Sequence, residues 1–495
     1  MGTIAITIGS ADNGNILARA DKQVEASISL MDFVKIGNTI GRITRITDSH
    51  DYSTEIILVN IAKKCLLENS NPTPQTMGML YKRLEIEPLG TVYDTGELTE
   101  FEGNIGYFMP VFEANESEIA KLYPNHKEGI TIGNIASGYK STNIPFKLDI
   151  DLALSRHALV LGKTGTGKTN FLKELIASNL ELKSPLPMLI FGHPDLGMDN
   201  PNDKGTRGLS ALGDDKVVLF GYEKRLKLSP EELALTDIFE QFPDMSTSMR
   251  DLWMHMQTRE PKNYIEILAK YNLNSDPYKL HRQQIPDPQH KGKNITVGIA
   301  PMATIDAVSK QARVLANYID SKVSPIVSQI LMALKQSKTV LVNTFNMTEY
   351  YQGLFVKLLL NRLQQSGKYA MHRKVSQKYL VVVDEAQHFI KTCGEKIAEF
   401  VMECRKFGVT LLLSTQSPAS IPASVYGQIY STIAFHLNKS DLKVLVDYSP
   451  LLEDCKSMIL RPPLNKTLGL AIAQVVDYPY PAVIRVPHFE RRFNK

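Results

Sequence analysis

One run of eight residues, Gly162-Lys163-Thr164-Gly165-Thr166-Gly167-Lys168-Thr169, constrains the fold more than any other stretch of the chain. It fits G-x-x-x-x-G-K-[ST] at every fixed position. The apolar run 157–161 stands ahead of it. Behind it Leu172, Leu175, Ile176 and Leu180 recur at i, i+3, i+4 and i+8, a helical period. A strand that ends in a glycine turn and enters a helix belongs in a parallel sheet with helices on both faces, an α/β fold.

The chemistry of such a turn is specific. Glycines let the backbone curl so that successive N–H groups point at one anion, and the helix N-terminus presents its positive end there. On this reading Gly162, Lys163, Thr164, Gly165, Thr166, Gly167, Lys168, Thr169 and Asn170 form a nucleotide cradle. Lys168 is expected to reach the β- and γ-phosphates of ATP, and the Thr169 hydroxyl to ligate Mg2+. A glycine turn without a nucleotide is the competing reading, and the position between strand and helix disfavours it.

A phosphate cradle needs an acidic partner on a neighbouring strand. YLVVVDEAQHF supplies five apolar residues followed by Asp384 and Glu385, at the strand end where ligands of open parallel sheets gather. Asp384 is expected to hold magnesium through water, and Glu385 to polarise the water that attacks the γ-phosphate. VTLLLSTQSP ends in Thr415-Gln416, and the Gln416 amide is the expected γ-phosphate sensor. ECRKFG places Arg405 and Lys406 just ahead of that strand. Arg405 reads either as a transition-state arginine delivered from a neighbouring subunit or as a basic residue favoured by the dipole of a helix end. Lys406 lacks the planar fork that suits the first role.

The rest of the chain divides around these blocks. Residues 1–145 read as a small β-barrel and linker, from TIAITIG, ASISLMDFV, NTIGRITRI and STEIILVNI, with one helix near ESEIAKLY. GYKSTNIPFKLDIDLALS reads as an extended lead into the next domain. Residues 146–200 and 335–440 read as the core, with strands at 157–161, 188–192, 339–344, 379–383 and 410–415. Residues 201–334 read as a helical insertion containing the loop HRQQIPDPQHKGKN, with Ser229–Pro230 and Ser246 as helix starts. Residues 441–495 read as an extension with a terminal hairpin, TLGLAIAQV and PAVIRV.

Composition excludes several classes. A hydrophobic share of 43% and a charged share of 22% are those of a globular chain, and a net charge of +4 is too small to imply nucleic-acid binding by itself. Cys65, Cys393, Cys404 and Cys455 form no C-x-x-C pair and fit inert thiols of a reducing cytoplasm. MGTIAITIGS lacks the basic and apolar regions of a signal peptide, and no apolar run approaches membrane-spanning length. The expectation is a soluble cytoplasmic protein with no membrane insertion.

LSRHALVLGKTGTGKTNF, YLVVVDEAQHF, ECRKFGVTLLLSTQSP and the closing LGLAIAQV…YPAVIRVP together resemble the HerA family, hexameric P-loop ATPases of the HerA–FtsK group. The Walker blocks are shared by many ATPases; Arg156-His157 and the RKFG…TQSP spacing carry the narrower likeness. The resemblance implies a small N-terminal β-barrel, a RecA-like core with a helical insertion, and a C-terminal extension. It also implies a homohexamer that moves duplex DNA with a partner nuclease or NAD-hydrolase effector docked on the barrel, in some relatives for anti-phage defence. Carried onto matching positions, Lys168 and Thr169 bind phosphate and magnesium, Asp384 and Glu385 form Walker B, Gln416 is the sensor and Arg405 the arginine finger. The family commonly carries Asp-Pro-His-Gly-Glu-Tyr after the second strand, where this chain has GHPDLGM, with His193 in place of the aspartate. Asp195 and Asp199 are the nearby candidates to substitute for that loop's carboxylates. GYEKRLKL (221–228) and HKGKN (290–294) are the candidate basic loops for DNA contact. A ring that serves as an ATP-stabilised scaffold for its effector, without processive movement, is the competing functional reading.

Overall fold

The computed structural model describes residues 2–493, apart from 53–54, 94–96, 125–128, 152–154, 200–205, 235–238, 240–243, 272–277, 287–293, 376, 394, 463–468 and 477. The chain forms two compact units. One comprises Met1–Ser178, Thr415–Ala419 and Ile429–Lys495; the other comprises Asn179–Ser414 and Ser420–Gln428.

The first unit opens with a seven-stranded antiparallel sheet. Ile16–Ala20 pairs with Ala5–Ser10, which pairs with Pro110–Glu113, then Phe33–Ile36, Thr39–His50 and Leu80–Val92. Leu80–Val92 pairs back onto Ile16–Ala20 and also carries the short strand Leu98–Thr99. Alternation sets the inner face: Ile16, Ala18 and Ala20 are buried, as are Leu84 and Ile86 opposite them. The expected helix is present as Glu116–Ile119, closed by a capping box between Asn115 and Glu118.

Two expectations in this region need correction. ASISLMDFV yields a strand only from Phe33; before it the Asp32 carboxylate accepts the Ser29 N–H at 2.6 Å and Met31 has φ 67°, which makes a turn. STEIILVNI was expected to be a strand, but its described part begins the helix Glu55–Glu68. The β-branched residues are followed by the helix formers Ala62, Lys63, Lys64, Leu66 and Leu67. No residue of this helix is buried, so β propensity has no sheet face to act on.

The same unit contains a second group of strands. His157–Leu161 runs parallel to Ile429–Ala434, followed by antiparallel Leu470–Gln474, Ala482–Arg485, Ile130–Ser137 and Lys140–Leu148. The terminal hairpin is therefore present as expected. The expected extended lead is instead the outer strand of a hairpin.

The second unit is a parallel sheet in the order Val217–Phe220, Thr339–Val342, Met188–Phe191, Tyr379–Val383 and Val409–Thr415. Every residue of 188–191, 339–342 and 379–383 is buried, as continuous apolar runs covered on both faces require. Val217–Phe220 lies within the stretch expected to be helical, and so does the hairpin of Gln283–Pro286 with Asn294–Val297. Four-residue strands leave no period long enough to read. The helical expectation holds for Pro230–Ala234, Thr247–Arg259 and Tyr264–Ala269. Ser229 and Glu232 cap the first reciprocally, and the Ser246 hydroxyl accepts the Met249 N–H of the second. Most of HKGKN lies outside the described residues. Among the described residues no helix is long and apolar enough to cross a membrane.

Candidate active site

The glycine turn sits between the fully buried strand His157–Leu161 and the helix Lys168–Leu180. Gly165 and Gly167 have φ of 76° and 116°, where side chains are strained. A Cβ on Gly162 would stand 2.7 Å from both Phe435 Cβ and Thr166 Oγ1. The turn is closed by its own polar groups. Thr166 Oγ1 donates to the Lys163 carbonyl at 2.7 Å, and Lys168 Nζ donates to the carbonyls of Gly162 and Lys163 at 2.7 and 3.3 Å. Lys168 is only 5% exposed, so its ammonium is held inside the turn rather than in solvent. Thr164, Gly165 and Thr169 are exposed.

Long-range contacts complete the turn within the first unit. Thr164 Oγ1 donates to Gln416 Oε1 at 2.7 Å, which joins residues 252 positions apart. The Gly162 N–H donates to the Thr415 carbonyl at 3.4 Å, and that of Lys163 to His436 at 3.0 Å. The Lys163 ammonium pairs with Asp441, in the first turn of the helix Lys439–Tyr448. Asn170 faces elsewhere: its Nδ2 donates to the Pro487 carbonyl at 2.8 Å and its Oδ1 accepts the Phe489 N–H at 2.9 Å.

In the second unit Tyr379–Val383 delivers Asp384, 7% exposed, at its C-terminal end. Asp384 Oδ1 accepts the Ser414 hydroxyl at 2.9 Å and the Glu385 N–H at 3.1 Å. Glu385 has φ 50°, a conformation costing a non-glycine residue about 1–2 kcal/mol. Such strain collects at functional sites. It turns the chain sharply into the helix Ala386–Cys393, and the Glu385 carboxylate accepts the Gln387 amide. Sequence reading missed Ser414; its signal is a hydroxyl within the fully buried strand Val409–Thr415.

Arg405 and Lys406 lie on the exposed 3-10 turn Arg405–Phe407. Gly408 ends that turn at φ 74°, where a Cβ would meet the Gln377 carbonyl at 2.0 Å. In GHPDLGM, His193 caps the short helix Pro194–Gly197, and its Nδ1 lies 3.2 Å from an Asp195 carboxylate oxygen. Asp199 is engaged structurally, accepting the Gly208 N–H at 2.8 Å. In GYEKRLKL, Leu226 and Leu228 are buried and Glu223, Lys224 and Arg225 are exposed. Arg156 lies over the Tyr430 ring at 4.3 Å, and His157 is buried.

A buried strand, a glycine turn that folds its lysine inward, and a second strand ending in an acid pair define a P-loop nucleoside triphosphatase. The family described as the central domain of helicase HerA matches residues 130–376. The DNA double-strand break repair helicase HerA of Pyrococcus furiosus is 24% identical over 428 residues, 78% of this chain and 74% of its own length. Among solved structures, the bacterial conjugative coupling protein TrwBΔN70 in its unbound monoclinic form is 14% identical, covers 76% of this chain and 93% of its own, and has a TM-score of 0.49. VirB4 of Thermoanaerobacter pseudethanolicus is 12% identical, covers 74% and 98%, and has a TM-score of 0.42. The chain belongs to the HerA family of P-loop ATPases.

Proposed function

We propose that this chain is the motor subunit of a homohexameric, cytoplasmic HerA-type ATPase that binds and moves duplex DNA with a partner nuclease or NAD-hydrolase effector. In this reading residues 1–145 hold a β-barrel that docks the effector, and 146–200 with 335–440 form a RecA-like core. Residues 201–334 are its insertion, and 441–495 its extension. The circuit of six paired strands in the first unit supports the barrel. An anti-phage setting fits the same partner class.

The inward-held Lys168 carries the catalytic reading most directly. Its ammonium donates to the carbonyl oxygens of Gly162 and Lys163 within the turn, and an incoming phosphate offers that cation a charge-assisted exchange. Residues 162–170 contain the cradle, and within it Lys168 binds the β- and γ-phosphates of ATP. Thr169 and Asp384 are the residues that fit Mg2+, Asp384 being held in orientation by Ser414. When bound, the ion supplies charge neutralisation across the phosphates. Glu385 orients and polarises the attacking water, and Gln416, bonded to Thr164, reads the γ-phosphate from the turn itself. Arg405, exposed, acts on a neighbouring subunit's nucleotide. Steady-state hydrolysis with and without duplex DNA tests the motor reading: stimulation by duplex supports it, and a DNA-independent rate at low salt refutes it.

One observation favours the scaffold alternative. The helix Glu55–Glu68 holds Ile56, Val59, Leu66 and Leu67 at 51–88% exposure, an apolar surface of the kind that marks protein contacts. An effector that assembles fully in the presence of a non-hydrolysable ATP analogue, without DNA, would support it.

A further inference from the structure

The helix Lys168–Leu180 carries Lys168 and Thr169 in its first turn, and one of its faces is held by a distant segment. Phe171, Leu172, Leu175 and Ile176 are fully buried. Asn170, Glu174 and Ser178 stand at i, i+4 and i+8 and so share another row. Both ends of the Asn170 amide are engaged by main chain, Nδ2 with the Pro487 carbonyl at 2.8 Å and Oδ1 with the Phe489 N–H at 2.9 Å. One turn on, Glu174, 2% exposed, takes the Arg492 guanidinium, with Nε at 3.2 and 3.1 Å from its two oxygens and Nη2 at 2.8 Å. The same Nη2 donates to Ser178 Oγ at 2.7 Å. Between these contacts Phe489 is 2% exposed, and the Lys173 ammonium lies 5.8 Å from the centroid of its ring.

The holding segment is itself anchored upstream. Buried Arg42, paired with Glu87 at 2.7 Å, donates to the Pro481 carbonyl at 2.6 Å. The strand Ala482–Arg485 follows directly. The segment is thus tied to the N-terminal sheet at one end and to the nucleotide-turn helix at the other.

We propose that residues 487–492 form a strap that sets the axial position of this helix, with Asn170 and Arg492 as positioning residues for ATP turnover. The inference rests on the reading of residues 162–169 as the triphosphate cradle. Hydrophobic packing fixes which face of a helix is buried but resists sliding along the axis weakly, because it is non-directional. Directional bonds at successive turns supply that resistance. Asn170 follows Thr169 immediately and Lys168 by two residues. A slip of one residue shifts both groups by about 1.5 Å, roughly half the length of a hydrogen bond, and so weakens their grip on the phosphates.

The full chain is tested by steady-state ATP hydrolysis, by titration with a fluorescent ATP analogue and by thermal melting. The variants are Asn170→Ala, Arg492→Lys and the paired Glu174→Gln with Arg492→Gln, which leaves no unpaired buried charge. Asn170→Ala is expected to raise KM and the analogue's Kd about tenfold. Arg492→Lys, which keeps the charge but not the fork, is expected to fall between wild type and the paired variant. Unchanged KM and Kd in folded variants, with only the melting point lowered, would overturn the strap. Should Asn170→Ala not fold, the Arg492→Lys value alone decides by the same criterion. Lys168→Ala separates the two readings. If it binds the analogue as wild type does, the cradle reading fails. If it loses binding while the strap variants keep it, only the strap fails.

Discussion

Two helices of nearly equal length, Lys168–Leu180 and Glu55–Glu68, carry comparable numbers of large apolar residues and have opposite surroundings. In the first, Phe171, Leu172, Leu175 and Ile176 are fully buried, and the polar row is engaged by residues more than 300 positions away. In the second no residue is buried, and Leu66 and Leu67 are 82% and 88% exposed. Apolar content therefore does not place a helix in a core; what places it is a sheet to pack on and bonds that fix its register. The contrast separates a helix packed and bonded on two faces from one that leaves its apolar surface outward.

The largest expected difference between the two is catalytic. Lys168→Ala should lower ATP hydrolysis by on the order of 100-fold or more, as removal of a transition-state charge contact does, while Lys64→Ala should leave the rate of the isolated protein unchanged. Equal losses would dissolve the contrast. Stability comes next. Leu172→Ala should cost about 2–5 kcal/mol through the cavity it leaves, and Leu66→Ala less than about 0.5 kcal/mol as a surface change; denaturant midpoints with unchanged slopes measure both. Hydrogen exchange sharpens the comparison further, since amides of Glu55–Glu68 should exchange well before those of Lys168–Leu180 if local burial sets opening.

The smallest effect concerns pH. Burial raises the Asp32 carboxyl to about 6, above its unfolded value, so the native state holds the proton more tightly. The associated penalty is absent below the unfolded pKa, grows as pH rises toward 6 and is complete above it. Asp32→Asn should therefore raise the melting point at pH 8 and change it little at pH 4. An effect of equal size at both values would show that the Ser29 bond, not the charge, decides.

What was legible in the sequence follows from how local the signal is. The glycine turn and the acid pair are short motifs whose residues stand within a few positions of one another, and the buried strands are continuous apolar runs, so the placing of each motif at a strand end is legible. Ser414 beside Asp384, Thr164 on Gln416 and Asp441 on Lys163 join residues 30 to 278 positions apart, and no local pattern announces them. Asn170 shows the limit well: its place beside Thr169 suggested the nucleotide, whereas its amide is bonded to 487 and 489. The start of the helix Glu55–Glu68 reads as a strand because Ile and Val outweigh the later helix formers over a short window.

The central claim we propose is that ATP hydrolysis depends on Glu385, held at φ 50° beside Asp384. Steady-state ATP hydrolysis by Glu385→Gln, with nucleotide binding measured in parallel, tests it most directly. The account predicts a rate lower by on the order of 100-fold or more with binding retained. Hydrolysis at the wild-type rate would contradict it.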